Sequence, residues 1–237
     1  WAVPLAEARL STFLAAGEDT GRDDAFLSGQ ITDLQSRLNV MNLVVASDAA
    51  YPRFERLFRA LNLPTSQLAL LADGLTRANT AMKAGNTDAG DAPLLPRRFE
   101  QLAWLGLAPE TLEALRPYVT VLPATRAIVP VNLNTASALV IHAAVPDLDL
   151  AGAQRLVAER DGAPLRDLGS VPTRLGLASS PDLAWASVAS SFFEIRGRLR
   201  LDGVALEEVA VVWRQRSGTG RGVHTLWRER AALTVAP

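Results

Sequence analysis

Alternation of apolar and polar residues occurs in two places that lie far apart in this chain. Leu34, Ser36, Leu38 and Val40 alternate with Asp33, Gln35, Arg37 and Asn39 within the stretch from Leu27 to Val40. Near the other end, Phe193, Ile195, Leu199 and Leu201 alternate with Glu194, Arg196, Arg198, Arg200 and Asp202. A period of two is the pattern of a strand with one face buried. The first stretch reads as a half-buried strand or a short hairpin, and such a unit alone is only marginally stable. The second reads as an antiparallel meander. Asp202-Gly203 is a hairpin signal, Val209, Val211 and Trp213 mark a second strand, and Val223 to Arg230 follow a loop as a third. Pairing the two stretches solves the stability problem, and it makes everything between them an insertion.

That insertion reads as helix. Tyr51, Phe54, Leu57, Phe58 and Leu61 form one helical face, and Ser66 can cap a second helix through Leu75. Residues 83–96 are turn-forming and read as a loop, and further helices are expected near 98–105, 109–115, 132–144, 150–160 and 182–187. At the start of the chain, Val3, Ala6, Leu10, Phe13 and Leu14 recur at spacings of three and four, so residues 1–16 read as a helix. The expectation is an α+β fold in which an N-terminal helix lies on an antiparallel sheet, with a large all-α domain inserted between strands. Its segments are 1–47, 48–187 and 188–237.

Composition removes several classes of function. The 237 residues include no Cys, which excludes a disulfide scaffold, Cys-ligated zinc and a thiol nucleophile. No run of about 18 or more apolar residues is present to span a bilayer as a helix. Two His and a formal net charge of -1 argue against a His-rich metal site and against nonspecific polyanion binding. The chain opens at Trp1 rather than Met, so a segment upstream is expected.

Several local motifs bear on chemistry. Val131-Asn132-Leu133-Asn134-Thr135-Ala136, a helix, the turn Pro146-Asp147-Leu148-Asp149-Leu150 and a second helix resemble a helix-hairpin-helix unit, which binds the DNA backbone. That chemistry needs exposed hairpin amides at a helix N-terminus. Here the turn lacks Gly and carries two carboxylates where a phosphate would approach, so a nucleic-acid-binding module is the alternative reading rather than the main one. Gly218-Thr219-Gly220-Arg221-Gly222 precedes a strand-like segment, which suits a hairpin loop and not a dinucleotide fingerprint. His142 and His224 have no sequence-local partner that suggests a triad. Asp88 and Asp91, with Asp73 upstream, offer oxygen ligands to a hard cation such as calcium, at a spacing that matches no EF-hand. No catalytic constellation is apparent, and the expectation is a protein that is not an enzyme.

The stretch from Gly29 to Leu43, Gly-Gln-Ile-Thr-Asp-Leu-Gln-Ser-Arg-Leu-Asn-Val-Met-Asn-Leu, resembles the signature of the general secretion pathway protein K family. Its members are the large minor pseudopilins of type II secretion systems. The helical run Phe54 to Leu61, the segment Leu115 to Pro123 and the Val131 to Ala136 motif agree with that family in order and spacing.

The resemblance implies a pilin-like domain interrupted by a large helical domain, with a membrane-embedded N-terminal helix ahead of Trp1. The stripe of Val3, Ala6, Leu10, Phe13 and Leu14 would continue that helix and pack against two smaller minor pseudopilins in a ternary complex. The implied role is to cap the pseudopilus tip and support export of folded proteins, with the exoprotein or the outer-membrane channel as further contacts. The implied location is the inner membrane through the N-terminal helix, with residues 1–237 in the periplasm. Relatives carry an acidic, Gly-containing stretch associated with calcium. Here Asp73, Asp88 and Asp91 stand nearly alone, so calcium binding is not carried over.

Overall fold

A computed structural model describes residues 3–9, 25–85, 91–123, 127–201, 204–215 and 222–234. The chain divides into two compact units, one made of residues 1–34 with 190–237 and the other of residues 35–189.

The first unit is a five-stranded antiparallel sheet. Its strands are β1 (Leu5–Arg9), β2 (Phe26–Asp33), β7 (Phe192–Leu201), β8 (Val204–Gln215) and β9 (Gly222–Thr234), in the spatial order β1-β2-β7-β8-β9. β2 pairs with β7 along its whole length, from Phe26 opposite Arg200 to Asp33 opposite Phe193. The two alternating stretches thus meet as neighbours, and the meander runs on through β8 and β9. Asp202-Gly203 and residues 216–221 lie outside the described residues.

Two expectations fail here. Residues 5–9 are a strand rather than part of a helix, with Leu5 opposite Gly29 and Arg9 opposite Phe26. Ala6 therefore sits in an edge strand, and Val3 just before it is 84% exposed. The open edge of β2 offers this segment a row of backbone partners, a non-local gain that side-chain periodicity does not register. Leu10, Phe13 and Leu14 lie outside the described residues. The alternation also overshoots, because β2 ends at Asp33 and the chain turns through a 3-10 helix over Leu34–Ser36.

The second unit has its own core, which includes Leu38, Met41, Phe54, Leu57, Phe58, Leu71, Leu115, Val140 and Trp185. Its first strand, β3 (Leu38–Asn39), pairs in parallel with β4 (Val119–Thr120). Residues 38–43 are buried in this helical core, so the unit begins at residue 35 where the sequence suggested 48.

The helices are α1 (Asn42–Val45), α2 (Ser47–Ala60), α3 (Thr65–Lys83), α4 (Pro109–Leu115), α5 (Ala138–Ala144), α6 (Leu150–Gly162) and α7 (Val171–Leu175), with a 3-10 helix over Phe99–Leu105. α2 stops at Asn62, whose φ of 54° is the left-handed conformation that ends helices. α3 runs eight residues past Leu75 to Lys83. Gly74 lies inside it, where a Cβ would stand 3.2 Å from Leu105, so the absent side chain lets the 3-10 helix pack close.

Residues 182–187, expected as helix, instead lead into β6 (Ala186–Ser187), which pairs in parallel with β5 (Val131–Asn132). The amides of Val131 and Leu133 donate to the carbonyls of Trp185 and Ser187, each at 2.8 Å. Six residues hold too few helical hydrogen bonds to resist that pairing. Pairing at Val131–Asn132 also delays α5, which starts at Ala138 behind the Ser137 cap.

Candidate interaction surface

The alternation in β2, β7 and β8 gives the sheet two unlike faces. On one face Arg196 pairs with Glu207 at 2.7 Å, and Arg200 pairs with Glu7 at 2.7 Å while lying 4.2 Å over the Phe26 ring. The other face carries two apolar rows set by register. Leu27, Leu199 and Leu206 stand opposite one another across the three strands, as do Ile31, Ile195 and Ala210. Between the rows, Gly29 faces Gly197. Among the described residues a Cβ at Gly197 would meet nothing within 4 Å, whereas one at Gly29 would stand 3.0 Å from the Arg196 carbonyl. The rows are four residues apart along the strands, about 13 Å at strand rise. Ile195 and Leu206 remain more than a third exposed. The outcome is a trough with apolar rows on either side and a middle row that runs from the two glycines to Glu208 opposite Gly197 and Arg230 beyond it. There Arg230 and Arg228 hold Glu208, and the Arg230 hydrogen bond keeps its carboxyl below its ordinary value.

In the helical unit, the helix-hairpin-helix scaffold forms from α5 and α6, and its turn is closed from both sides. Asp149 caps α6 by accepting from the Gly152 amide at 2.7 Å, and Asp147 accepts from the Asp182 amide at 2.8 Å. A Cβ on Gly152 would lie 2.8 Å from Leu148 Cδ1, so the turn fits tightly around this glycine. A helix N-terminus binds phosphate through free amides. Here the Asp149 carboxylate takes the Gly152 amide and places negative charge where a phosphate would approach.

The carbonyl end of α5 is held by two arginines of α2. Arg53 donates to the Ala144 carbonyl at 3.0 Å and Arg56 to the His142 carbonyl at 2.8 Å and the Leu148 carbonyl at 3.0 Å. Cations at a helix C-terminus satisfy orphan carbonyls and oppose the negative end of the dipole. Burial pulls the Arg56 guanidinium below its ordinary value, Asp147 opposes that shift, and Arg53 and Arg59 add to it. His142 Nδ1 lies 2.9 Å from the Leu148 carbonyl and 3.1 Å from Arg56 Nη2, at the same helix end.

The asparagines of the two sequence motifs are also structural. Asn42 donates to and accepts from the backbone of Val129, both at 3.0 Å. Asn39 accepts from the Leu122 amide at 2.9 Å. Asn134 joins the backbones of Leu165 and Val188. Arg53 and these asparagine bridges are not foreseen from the sequence. Arg53 had a signal: it falls on the buried stripe of α2 with Ala50, Phe54 and Leu57.

Of the acids named as calcium candidates, Asp73 and Asp91 lie among the described residues. Asp73 pairs with Arg77 at 3.5 Å, Asp91 meets Arg77 through its carbonyl at 3.0 Å, and Asp88 lies outside the described residues. Among the described residues no three His, Cys, Asp or Glu side chains gather as a cation site. The Arg77 guanidinium, held by the Asp73 carboxylate and the Asp91 carbonyl, opposes a second positive charge beside them.

Two family models, both described as type II secretion system (T2SS), protein K, match residues 36–124 and 131–191. Among solved structures, the chain is similar to one in the crystal structure of the GspK-GspI-GspJ complex from the type 2 secretion system of enterotoxigenic Escherichia coli. The TM-score is 0.62 at 18% identity, over 87% of this chain and 80% of that one, which is a likeness of fold. No curated protein matches. The matches and the α+β architecture define a minor pseudopilin of a bacterial secretion system. The chain belongs to the type II secretion system protein K family.

Proposed function

We propose that this chain caps the tip of the type II secretion pseudopilus, where it assembles with other minor pseudopilins and supports export of folded proteins across the outer membrane. The observation that carries this reading is the trough on the sheet. Its two apolar rows stand about 13 Å apart from backbone to backbone and flank a row opened by two glycines, a face on which the apolar stripe of an α-helix can lie. That is the packing a pilin-like fold needs, and Leu27, Ile31, Ile195, Leu199 and Leu206 supply the apolar walls. Partner contacts are assigned to the N-terminal residues Val3, Ala6, Leu10, Phe13 and Leu14. The similar solved chain belongs to a GspK-GspI-GspJ complex, which supports two sibling pseudopilins as partners.

A separate helical unit of residues 35–189 adds bulk that suits a tip rather than a repeating shaft. The role is structural rather than enzymatic. His142 serves the Leu148 carbonyl, and the His224 ring stacks on Trp213 with centroids 5.3 Å apart. These residues work in the periplasm, and among the described residues no helix is long and apolar enough to cross a membrane. The test is light scattering on size-exclusion fractions of this chain mixed with the periplasmic domains of two sibling minor pseudopilins. A ternary peak with one copy of each is the expected result. A chain that stays alone at micromolar concentration overturns the reading.

A further inference from the structure

The helical unit carries an open groove of about 520 Å³ between the C-terminal half of α3, residues 93–95 and the 3-10 helix over Phe99–Leu105. Sites that hold small ligands or several side chains span about 300–1,000 Å³, so the groove is of binding size. Among the described residues of this unit, five large apolar side chains stand exposed: Leu70, Met82, Leu94, Trp104 and Leu150. Three of them, Met82 at 49%, Leu94 at 66% and Trp104 at 50%, line this one groove. Clustering of that kind marks a contact surface, whereas scattered exposed residues need no explanation. Ala78 and Ala81 form a low wall along α3.

Among the described residues that line the groove, Arg97 is the only ionisable side chain and none is a carboxylate. Gln101 Oε1 is occupied by the amides of Arg97 at 2.7 Å and Arg98 at 3.2 Å. The side-chain donors among the described lining residues are the Arg97 guanidinium, the Gln101 amide and the Trp104 indole N–H. An occupant that satisfies them brings large apolar side chains together with acceptors, at least one of them negatively charged.

We infer that this groove docks an extended segment of a partner polypeptide in which large apolar side chains alternate with aspartate or glutamate. Such a segment sets its apolar side chains against Met82, Leu94 and Trp104 and its carboxylate on Arg97, with backbone carbonyls free to accept from the indole. Arg suits this role because its planar fork grips a carboxylate with two parallel hydrogen bonds. Trp and Arg are also the residue types that dominate binding at protein interfaces.

The test uses the whole chain, 15N-labelled, titrated with the capped peptide acetyl-Phe-Asp-Leu-Asp-Gly-amide and followed at the Trp104 indole cross-peak, which a Trp104→Phe variant assigns. The expected result is a saturable shift with a dissociation constant at or below about 1 mM. A peptide with Lys in place of each Asp, and Arg97→Gln against the acidic peptide, should each bind about tenfold more weakly. Arg97 is exposed, so the variant should unfold at the temperature of the parent chain, and its binding loss then reads the contact alone. Failure of the acidic peptide to saturate, or equal binding of both peptides, overturns the proposal. So does saturation by laurate without the peptide, which marks an amphiphile site. A cross-peak that moves with protein concentration alone marks self-association and also overturns it.

Discussion

Ser190 donates to Asp33 Oδ2 across 2.5 Å, although 157 residues separate them in the chain. Both are buried, and they stand at the two ends of the insertion, Asp33 closing β2 and Ser190 preceding β7. Arg214 secures the same point, donating to the Ser190 carbonyl at 2.9 Å. Removing the hydroxyl leaves a buried carboxylate short of a donor. Ser190→Ala should lower stability by about 1–3 kcal/mol, while Ser190→Thr keeps the bond and most of the stability. Urea unfolding of the two variants reads this directly, and equal midpoints would show that the pair contributes nothing.

Arg53 ties α2 to both α5 and the segment before β6. It meets Ala144 and Ala49 carbonyls, pairs with Asp182 at 2.6 Å, and lies 4.8 Å from the Trp185 ring centroid. Arg53→Ala should cost about 2–4 kcal/mol, because a buried carbonyl and a packed ring lose their partner together. Asp182→Asn should cost about 1 kcal/mol or less, since its carboxylate is half exposed and screened. A loss at Asp182 as large as at Arg53 would show that the ion pair, rather than the helix cap, dominates.

Glu208 gives a pH dependence with a definite sign. The hydrogen bond from Arg230 holds its folded pKa below the ordinary carboxylate value, so the folded chain binds fewer protons there than the unfolded chain. Its contribution is present above the unfolded value of about 4.3 and is lost as pH falls through the depressed folded value. Thermal melts from neutral pH to about pH 3 should lose less stability in Glu208→Gln than in the parent chain. Salt should shrink the difference, because the pair is exposed.

Gly197 separates assembly from folding. Its backbone is not left-handed, and a Cβ there would meet no atom of the described residues within 4 Å. Gly197→Leu should leave stability within about 1 kcal/mol of the parent while blocking the trough. Its affinity for the sibling pseudopilins should fall about tenfold or more, measured by titration of the mixed complex. Unimpaired assembly would move the interface off this face.

The strands of the meander and most of the inserted helices were legible in the local residue pattern. α4 occupies the expected 109–115, and β7 coincides with the Phe193 to Leu201 alternation, because in both the side-chain period and the hydrogen-bonded element are local to one stretch. The sequence also carried the family resemblance, since the asparagines of both motifs hold distant backbone and their spacing is fixed by that task. Tertiary structure decided the rest. Residues 5–9 pair with an edge strand, residues 186–187 pair with 131–132, and Leu38 and Met41 enter the helical core. In each case a short segment with little local preference is claimed by backbone partners or apolar surface far away in sequence. The trough is of the same kind. Gly29 and Gly197 are 168 positions apart by number, and only the register of β2 against β7 sets them face to face.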